Sequence, residues 1–220
     1  TVRVGLLPAG TGNDFARKWY GKHCSLTRML DIVTSTHCES IHLGICEMKT
    51  ERRYFHNALG TGFDSVIAKK LVGKKSLFKS FSYTLAALRH IPFFDEPEVS
   101  LHIEGKQPKT YRNLVTVFAN SHYFGGGLPI APMATAKQSQ LEILHAEKLS
   151  VLRKITILLR LVLGTHMGSK DIEHVSLESP QTATITTPGL DLQADGEYIG
   201  TTPCEVFSAP HTILLKSARD

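Results

Sequence analysis

The stretch Leu7–Arg17, LPAGTGNDFAR, decides how the rest of the chain is read. An apolar run, VRVGLL (Val2–Leu7), precedes it and reads as a short buried strand; a helix from about Asn13 to Tyr20 follows. A strand, a glycine turn and a helix start form a ready anion site, because the first N–H groups of a helix have no internal partner. Gly10 and Gly12 let the backbone adopt positive φ and approach a ligand closely. Thr11 and Asn13 add side-chain donors for phosphate oxygens. The spacing matches neither G-x-G-x-x-G nor the Walker A loop. Without a ligand, the same residues read as a tight turn with Asn13 or Asp14 as N-cap, worth about 1 kcal/mol. Asp14 places a negative charge beside the turn, and a carboxylate near phosphates usually has a cation between, commonly Mg²⁺.

Outward from this loop the pattern changes character. SLTRMLDIVTS (Ser25–Ser35) has helical spacing at Leu26, Met29, Leu30 and Val33. After it, ESIHLGICEMK (Glu39–Lys49) and RRYFHNALG (Arg52–Gly60) read as two strands of a hairpin. Two helical segments follow, Asp64–Val72 and Ser76–Ile91, the second stopped by Pro92. From Pro97 the chain is mostly strand: 98–105, 111–121, 141–149, 172–179, 182–187, 190–194, 204–209 and 212–217, separated by Gly, Pro and polar turns. Ser150–Gly164 interrupts this as a buried or half-buried helix; it carries Arg153, Lys154 and Arg160 and is shorter than the roughly 20 residues a bilayer needs. The fold class is therefore an α/β remnant plus a mainly antiparallel β-sandwich with helical inserts, divided near Thr36. Residues 1–35 read as the tail of an α/β layer, and residues 36–220 as the β domain.

Three further turns carry polar or glycine-rich chemistry. LQADGEYIG (Leu192–Gly200) has Asp-Gly between strands, the strongest short hairpin signal. It also sets the carboxylates of Asp195 and Glu197 at a turn, where they could take a proton from a hydroxyl or reach a metal. NSHYFGGGLPIAP (Asn120–Pro132) holds Gly125, Gly126 and Gly127 in a row, which permits close approach to a substrate or simply makes a mobile loop. HNALGTGFDS (His56–Ser65) is a second glycine turn between strand and helix, with Asp64 as a cap. Between Ser65 and His90 lie Lys69, Lys70, Lys74, Lys75, Lys79 and Arg89 with no acidic residue. That run reads either as a solvated helix face or as a surface for an anionic membrane, where each basic residue adds about 1 kcal/mol.

Composition narrows the classes. The 220 residues are 42% hydrophobic and 20% charged, ordinary for a globular protein. The net charge of +5 and pI near 9.0 suit anionic partners or a plain basic surface. Cys24, Cys38, Cys46 and Cys204 form no C-x-x-C pair, so they read as reduced thiols in a cytoplasmic protein. No H-E-x-x-H, no G-x-S-x-G and no signal peptide occur. The chain does not start with Met, so residues upstream of Thr1 are expected.

Taken in order, these pieces resemble the diacylglycerol kinase and long-chain-base (sphingosine-type) lipid kinase superfamily, most like its bacterial soluble members. LPAGTGNDFAR is close to that family's P-x-G-T-x-N-D-F-A-R motif. NALGTGFDSVIAKK looks like the opening of its second domain, YFGGGLPIAPMA like its glycine-rich substrate-cleft loop, and ADGE like its late acidic turn. The resemblance spans nearly all 220 residues. It implies a nucleotide-binding α/β domain and a β-sandwich with the active site between them. The implied reaction is transfer of the ATP γ-phosphoryl group to the hydroxyl of diacylglycerol or a related lipid, with Mg²⁺. Gly10, Thr11, Gly12 and Asn13 would contact nucleotide phosphates, and Asp14 would join a water-linked Mg²⁺ network. Asp195 would be the general base with Glu197 beside it, and Gly125–Gly127 would line the substrate cleft.

Three departures qualify the match. The family's G-G-D-G-T phosphate clamp is not among the 220 residues and should precede Val2, so this loop reads as the second half of a nucleotide site. His42 stands where members often carry Asp. Lys137, Gln138, Ser139 and Gln140 offer no carboxylate where an acidic D-G pattern is usual, so a structural metal there is not expected. The reading is an ATP-dependent lipid kinase, inactive or weak as this chain, cytoplasmic and peripheral at an anionic membrane, with no nucleic-acid partner. An unpaired sheet edge offers a route to a homodimer. The alternatives are a non-catalytic lipid- or membrane-binding module and, more remotely, a kinase for a soluble nucleotide such as NAD.

Overall fold

The computed structural model describes residues 2–10, 12–21, 24–71 and 87–218. Thr11 and the basic and aromatic positions Lys74, Lys75, Phe78, Lys79, Phe81 and Tyr83 lie outside the described residues, as does most of the Ser76–Ile91 helix.

The strands are β1 (Arg3–Val4), β2 (Cys38–Met48), β3 (Arg52–Phe55), β4 (Ala58–Gly62), β5 (Glu98–Ile103), β6 (Lys109–Ala119), β7 (Gln140–Glu147), β8 (Glu173–Glu178), β9 (Ala183–Ile185), β10 (Asp191–Ala194), β11 (Glu197–Thr201) and β12 (Cys204–Lys216). The helices are α1 (Asp14–Tyr20), α2 (Leu26–Thr34), α3 (Phe63–Leu71) and α4 (Val151–Val162). Hydrogen bonding runs in the order β11-β10-β4-β6-β5-β9-β12-β2-β3, with β7 joining β6 to β8. Every strand pair is antiparallel except β1 with β12. The architecture is thus the mainly antiparallel, sandwich-like one that the spacing of strands and turns predicts.

β6 makes the sandwich. Its first half, Lys109–Arg112, pairs with β5, while Val115–Ala119 pairs with β4 on one side and β7 on the other. One strand therefore belongs to both layers, and the sheet folds over along it. Alternate residues of β5 (Val99, Leu101, Ile103) face Leu59, Leu141, Ile143, Leu177, Leu192 and Val206 in the main core. Burial of each such side chain contributes about 1.5–3 kcal/mol. The outer face of β4, β6 and β7 is covered by α3, α4 and the segment 87–91 through Phe63, Ile67, Ile91, Leu114 and Leu158.

Two boundaries differ from the sequence reading. The segment 204–216 is one strand, although Pro210 predicts two. Both halves pair with β2, and a register shift between Ser208 and Thr212 accommodates the residue that lacks an N–H. Conversely, RRYFHNALG is two strands, since the chain leaves β2 after Phe55 and joins β10 and β6 from Ala58. The bend at His56–Asn57 is where the site forms. The α2 pattern also overstates burial: Ile32 is buried, whereas Leu26 and Leu30 are exposed.

The N-terminal segment is fixed onto the sandwich by α1. Tyr20 Oη accepts from Leu6 N at 3.2 Å and donates to Lys216 O at 3.1 Å. Phe15, Ile41, Ala136 and Leu215 form the small core beneath it. α4 is half-buried: Ile157, Leu158 and the charged Lys154 face inward, and Leu152, Leu159 and Leu163 face outward. None of the described helices is long and apolar enough to cross a membrane.

Candidate active site

Asp195 and Gly196 form the two-residue turn between β10 and β11, with φ of 51° and 88°. Positive φ at both positions is the signature of a type I′ hairpin turn, and Asp tolerates it where most residues do not. The turn places the Asp195 carboxylate over the bend between β3 and β4. Oδ1 accepts from Asn57 N at 2.9 Å and Ala58 N at 3.0 Å. Oδ2 accepts from His56 N at 2.9 Å and lies 2.6 Å from His56 Nδ1. Asp195 N in turn donates to Ala58 O at 2.9 Å. The bend has three N–H groups free because the chain is changing sheets there, and this one side chain satisfies all three. Glu197 starts β11 beside the turn with its side chain exposed.

Asn57 and Asn120 brace the same bend. Asn57 Nδ2 donates to Tyr123 O at 2.8 Å. Asn120 Nδ2 bridges His42 O and His56 O, each at 3.0 Å. The 123–127 loop, which closes on itself through Phe124 and Leu128, follows directly. Gly125, Gly126 and Gly127 have φ of 63°, 91° and 107°, a run of left-handed backbone that only glycine sustains without strain. A Cβ at Gly127 would overlap the Arg17 guanidinium.

Asp14 joins the loop to the N-terminal segment: its Oδ2 accepts from Gly126 N at 2.8 Å. Burial raises the Asp14 carboxyl above the usual carboxylate range; the Gly126 N–H and Arg17 oppose this only in part. Its Oδ1 is buried with no hydrogen-bond partner among the described residues. Buried polar atoms are seldom left so, and an inward-facing carboxylate oxygen of this kind fits a water-linked Mg²⁺. Asn13 adopts φ 50° at the N-cap of α1, and its Nδ2 donates to Pro8 O at 3.2 Å and Gly10 O at 2.9 Å. It therefore closes the glycine loop on itself and forms no side-chain cap. Gly12 packs against Gly126, so the two glycine-rich loops touch.

Asp14 and Gly12 thus meet the 125–127 loop, and a chain of contacts runs from the start of α1 to Asp195. The Phe15 ring meets the His56 ring edge-on at 4.6 Å, and His56 meets Asp195. Sequence reasoning missed His56, Asn57 and Asn120 as site residues. The available signal was the polar pair His56–Asn57 interrupting an otherwise strand-like run. His42, the second departure, sits on β2 with Nδ1 3.4 Å from Ala209 O. Lys137, from the third, pairs with Glu39 and lies over Trp19. Among the described residues, one group has metal-ligand character: His145, Glu147 and Glu173. Lys109 Nζ lies 2.8 Å from Glu147 and 2.7 Å from Glu173, and its ammonium takes the place of a cation there.

Asp64 is enclosed behind the bend. Its Oδ2 accepts from Gln193 Nε2 at 3.0 Å, and a Cβ on Gly60 would overlap it. Burial lifts its carboxyl from 3.8 to about 6. The folded chain then binds this proton more tightly than the unfolded chain. Its stabilising effect is full below about pH 4 and lost as pH rises through about 6. A gap of about two units corresponds to roughly 3 kcal/mol. Denaturation of wild type and Asp64→Asn from pH 4 to 7 should show the wild type losing ground to the variant as pH rises. A difference between them that is flat with pH counts against this assignment.

Comparison with known proteins identifies the scaffold. Residues 57–216 match the YegS C-terminal NAD kinase beta sandwich-like domain. The chain is 27% identical over 225 residues to a diacylglycerol kinase of Mycobacterium tuberculosis, covering 99% of this chain and 70% of that protein. It is 23% identical over 219 residues to a diacylglycerol kinase of Bacillus subtilis, covering 97% of this chain and 69% of the relative. A solved structure described as a diacylglycerol kinase from Bacillus anthracis superposes with a TM-score of 0.62 at 17% identity, over 96% of this chain and 65% of that one; that likeness is one of fold. The chain spans about two thirds of the length of these proteins. With residues 57–216 inside the matched domain, the chain belongs to the diacylglycerol-kinase-like lipid kinase family.

Proposed function

We propose that this chain is the greater part of an ATP-dependent kinase that phosphorylates the hydroxyl of diacylglycerol or a related lipid. The observation that carries the reading is the joint made by Asp14 and Gly126. It holds the start of α1 against the 125–127 loop, and Phe15 next to Asp14 meets His56, the partner of Asp195. A phosphate-binding loop, a cleft loop and a carboxylate at the acceptor end then share one site. Phosphoryl transfer is mostly positioning and charge neutralisation, so such a set suffices without a protein nucleophile.

In this reading residues 1–35 are the end of the nucleotide-binding α/β domain, and residues 36–220 the β-sandwich that holds the lipid. Gly10, Thr11, Gly12 and Asn13 are the residues assigned to the ATP phosphates, with Asn13 bracing the loop through Pro8 and Gly10. Mg²⁺, when bound, neutralises charge on the β- and γ-phosphates. Asp14 Oδ1 is the group that would hold its water shell. Asp195 supplies the negative charge that draws the proton from the lipid hydroxyl, and Glu197 lies exposed beside it. The outward face of α4, with Leu152 and Leu163 flanked by Arg153 and Arg160, suits peripheral contact with an anionic membrane.

The test is phosphate transfer from ATP to diacylglycerol and to a long-chain base. It compares this 220-residue chain with an N-terminally extended form carrying a G-G-D-G loop. The extended form should phosphorylate one of the lipids, and the 220-residue chain should be slower by at least about 10²-fold, the effect of removing one preorganised anion clamp. Equal turnover by the two forms would show that the clamp is dispensable. No turnover by the extended form, with liposome binding retained, would favour a non-catalytic lipid-binding module.

A further inference from the structure

We infer that the atom taking the proton from the acceptor hydroxyl is Nε2 of His56, with Asp195 holding the imidazole; this rests on the lipid-kinase reading above. A carboxylate offers about four lone-pair sites. At Asp195 four donors fill them: the N–H groups of His56, Asn57 and Ala58, and His56 Nδ1. The carboxylate is saturated and turned toward the protein. His56 is the part of the pair that faces out, with 45% of its side chain exposed against 19% for Asp195.

The geometry fixes the chemistry of the ring. Nδ1, 2.6 Å from a carboxylate oxygen, carries the proton of the neutral imidazole, which leaves Nε2 with a lone pair. Among the described residues Nε2 has no hydrogen-bond partner. The residue is held at three points: its main-chain N–H by Asp195, its carbonyl by Asn120 Nδ2, and its ring by the T-shaped contact with Phe15. Its surroundings suit a lipid. His56 is the one ionisable imidazole in a groove of about 220 Å³ whose other walls include Phe15, Leu43, Tyr54, Phe55 and Ile213. An alcohol with an apolar tail lying in that groove would bring its hydroxyl to Nε2.

The step balances. The lipid O–H bond breaks and its proton forms the N–H bond at Nε2. The freed oxygen pair forms the bond to the γ-phosphorus, and the bond from that phosphorus to ADP breaks with its electrons leaving on ADP. Asp195 keeps its charge throughout and stabilises the imidazolium. The exposed edge of the ring then returns the proton to solvent.

The experiment uses the N-terminally extended protein with ATP and diacylglycerol in mixed micelles. His56→Ala should lower kcat/KM by about 10²–10⁴-fold, the range for loss of a general base. Added imidazole should restore at least about tenfold of that in His56→Ala and nothing in Asp195→Asn. His56→Gln, which preserves side-chain bulk, should show the same loss at an unchanged melting temperature. Nitrogen NMR of the 220-residue chain should show the neutral His56 ring protonated at Nδ1. Activity of His56→Gln within about threefold of wild type, absence of imidazole rescue, or a ring protonated at Nε2 would each overturn the inference while wild-type turnover keeps the kinase reading. A wild type without lipid turnover overturns both.

Discussion

Lys154→Met should lower the folding stability of the chain by about 3–5 kcal/mol, the usual result of stripping one partner from a buried ion pair. Lys154 lies on the inward face of α4 with only 5% of its side chain exposed, and Glu96 retains 2%. Their charged atoms approach to 2.5 Å, and Lys154 Nζ also donates to Phe94 O at 2.8 Å. The pair ties α4 to the turn before β5. Removal of the ammonium leaves Glu96 with an uncompensated charge in an apolar setting and Phe94 O without its donor. The companion experiment replaces both charges: Lys154→Met with Glu96→Leu should recover most of the loss, because apolar side chains of similar volume commonly replace such pairs at little cost. Urea denaturation at neutral pH measures both. A single variant within about 1 kcal/mol of wild type would mean that water reaches Glu96.

Asp195→Ala should be nearly as damaging to stability, by about 4 kcal/mol, and should abolish activity of the extended enzyme. Three main-chain N–H groups at the β3–β4 bend lose their acceptor, each worth roughly 1 kcal/mol in a half-buried setting. The residue sits at φ 51°, and alanine there adds about 1 kcal/mol of backbone strain. Asp195→Asn separates the two effects. Asparagine accepts the left-handed backbone and keeps one carbonyl oxygen, so it should lose about half as much stability. It cannot hold the His56 ring with a full charge, so its catalytic loss should stay at about 10²-fold or more. Chemical denaturation and the lipid phosphorylation assay read the two quantities. An Asp195→Ala chain as stable as wild type would show that the bend finds other acceptors.

The turn chemistry was the most legible part of the sequence. Asp195-Gly196 predicts a hairpin because a two-residue connection between twisted strands needs positive φ twice. Asp14, Gly126 and Asp195 stand out as residues, yet their partners do not. The donors to Asp195 sit on Asn57 and Ala58, 138 and 137 positions away, and Asp14 reaches across 112 positions to Gly126. Local pattern carries no record of such pairings. His56 was overlooked for the same reason: in sequence it is one polar residue in a strand-like run, and only the change of sheet at that point turns it toward Asp195. Pro210 misled in the opposite direction, since a break in the ladder read as a break in the strand. Nothing in the sequence marks Lys154 as the inward charge of its helix, since its counterion Glu96 is 58 positions earlier, beyond the reach of helical spacing.

The position of β12 has a consequence for how the polypeptide is made. Among the described residues, β2 and β3 connect to the rest of the sheet through β12 alone, which lies between β9 and β2 and also takes up β1. During synthesis the early strands must therefore wait, with their ladder groups and apolar faces unmatched, until residues 204–216 have left the ribosome. Such long-range closure is slow and leaves the nascent chain prone to association.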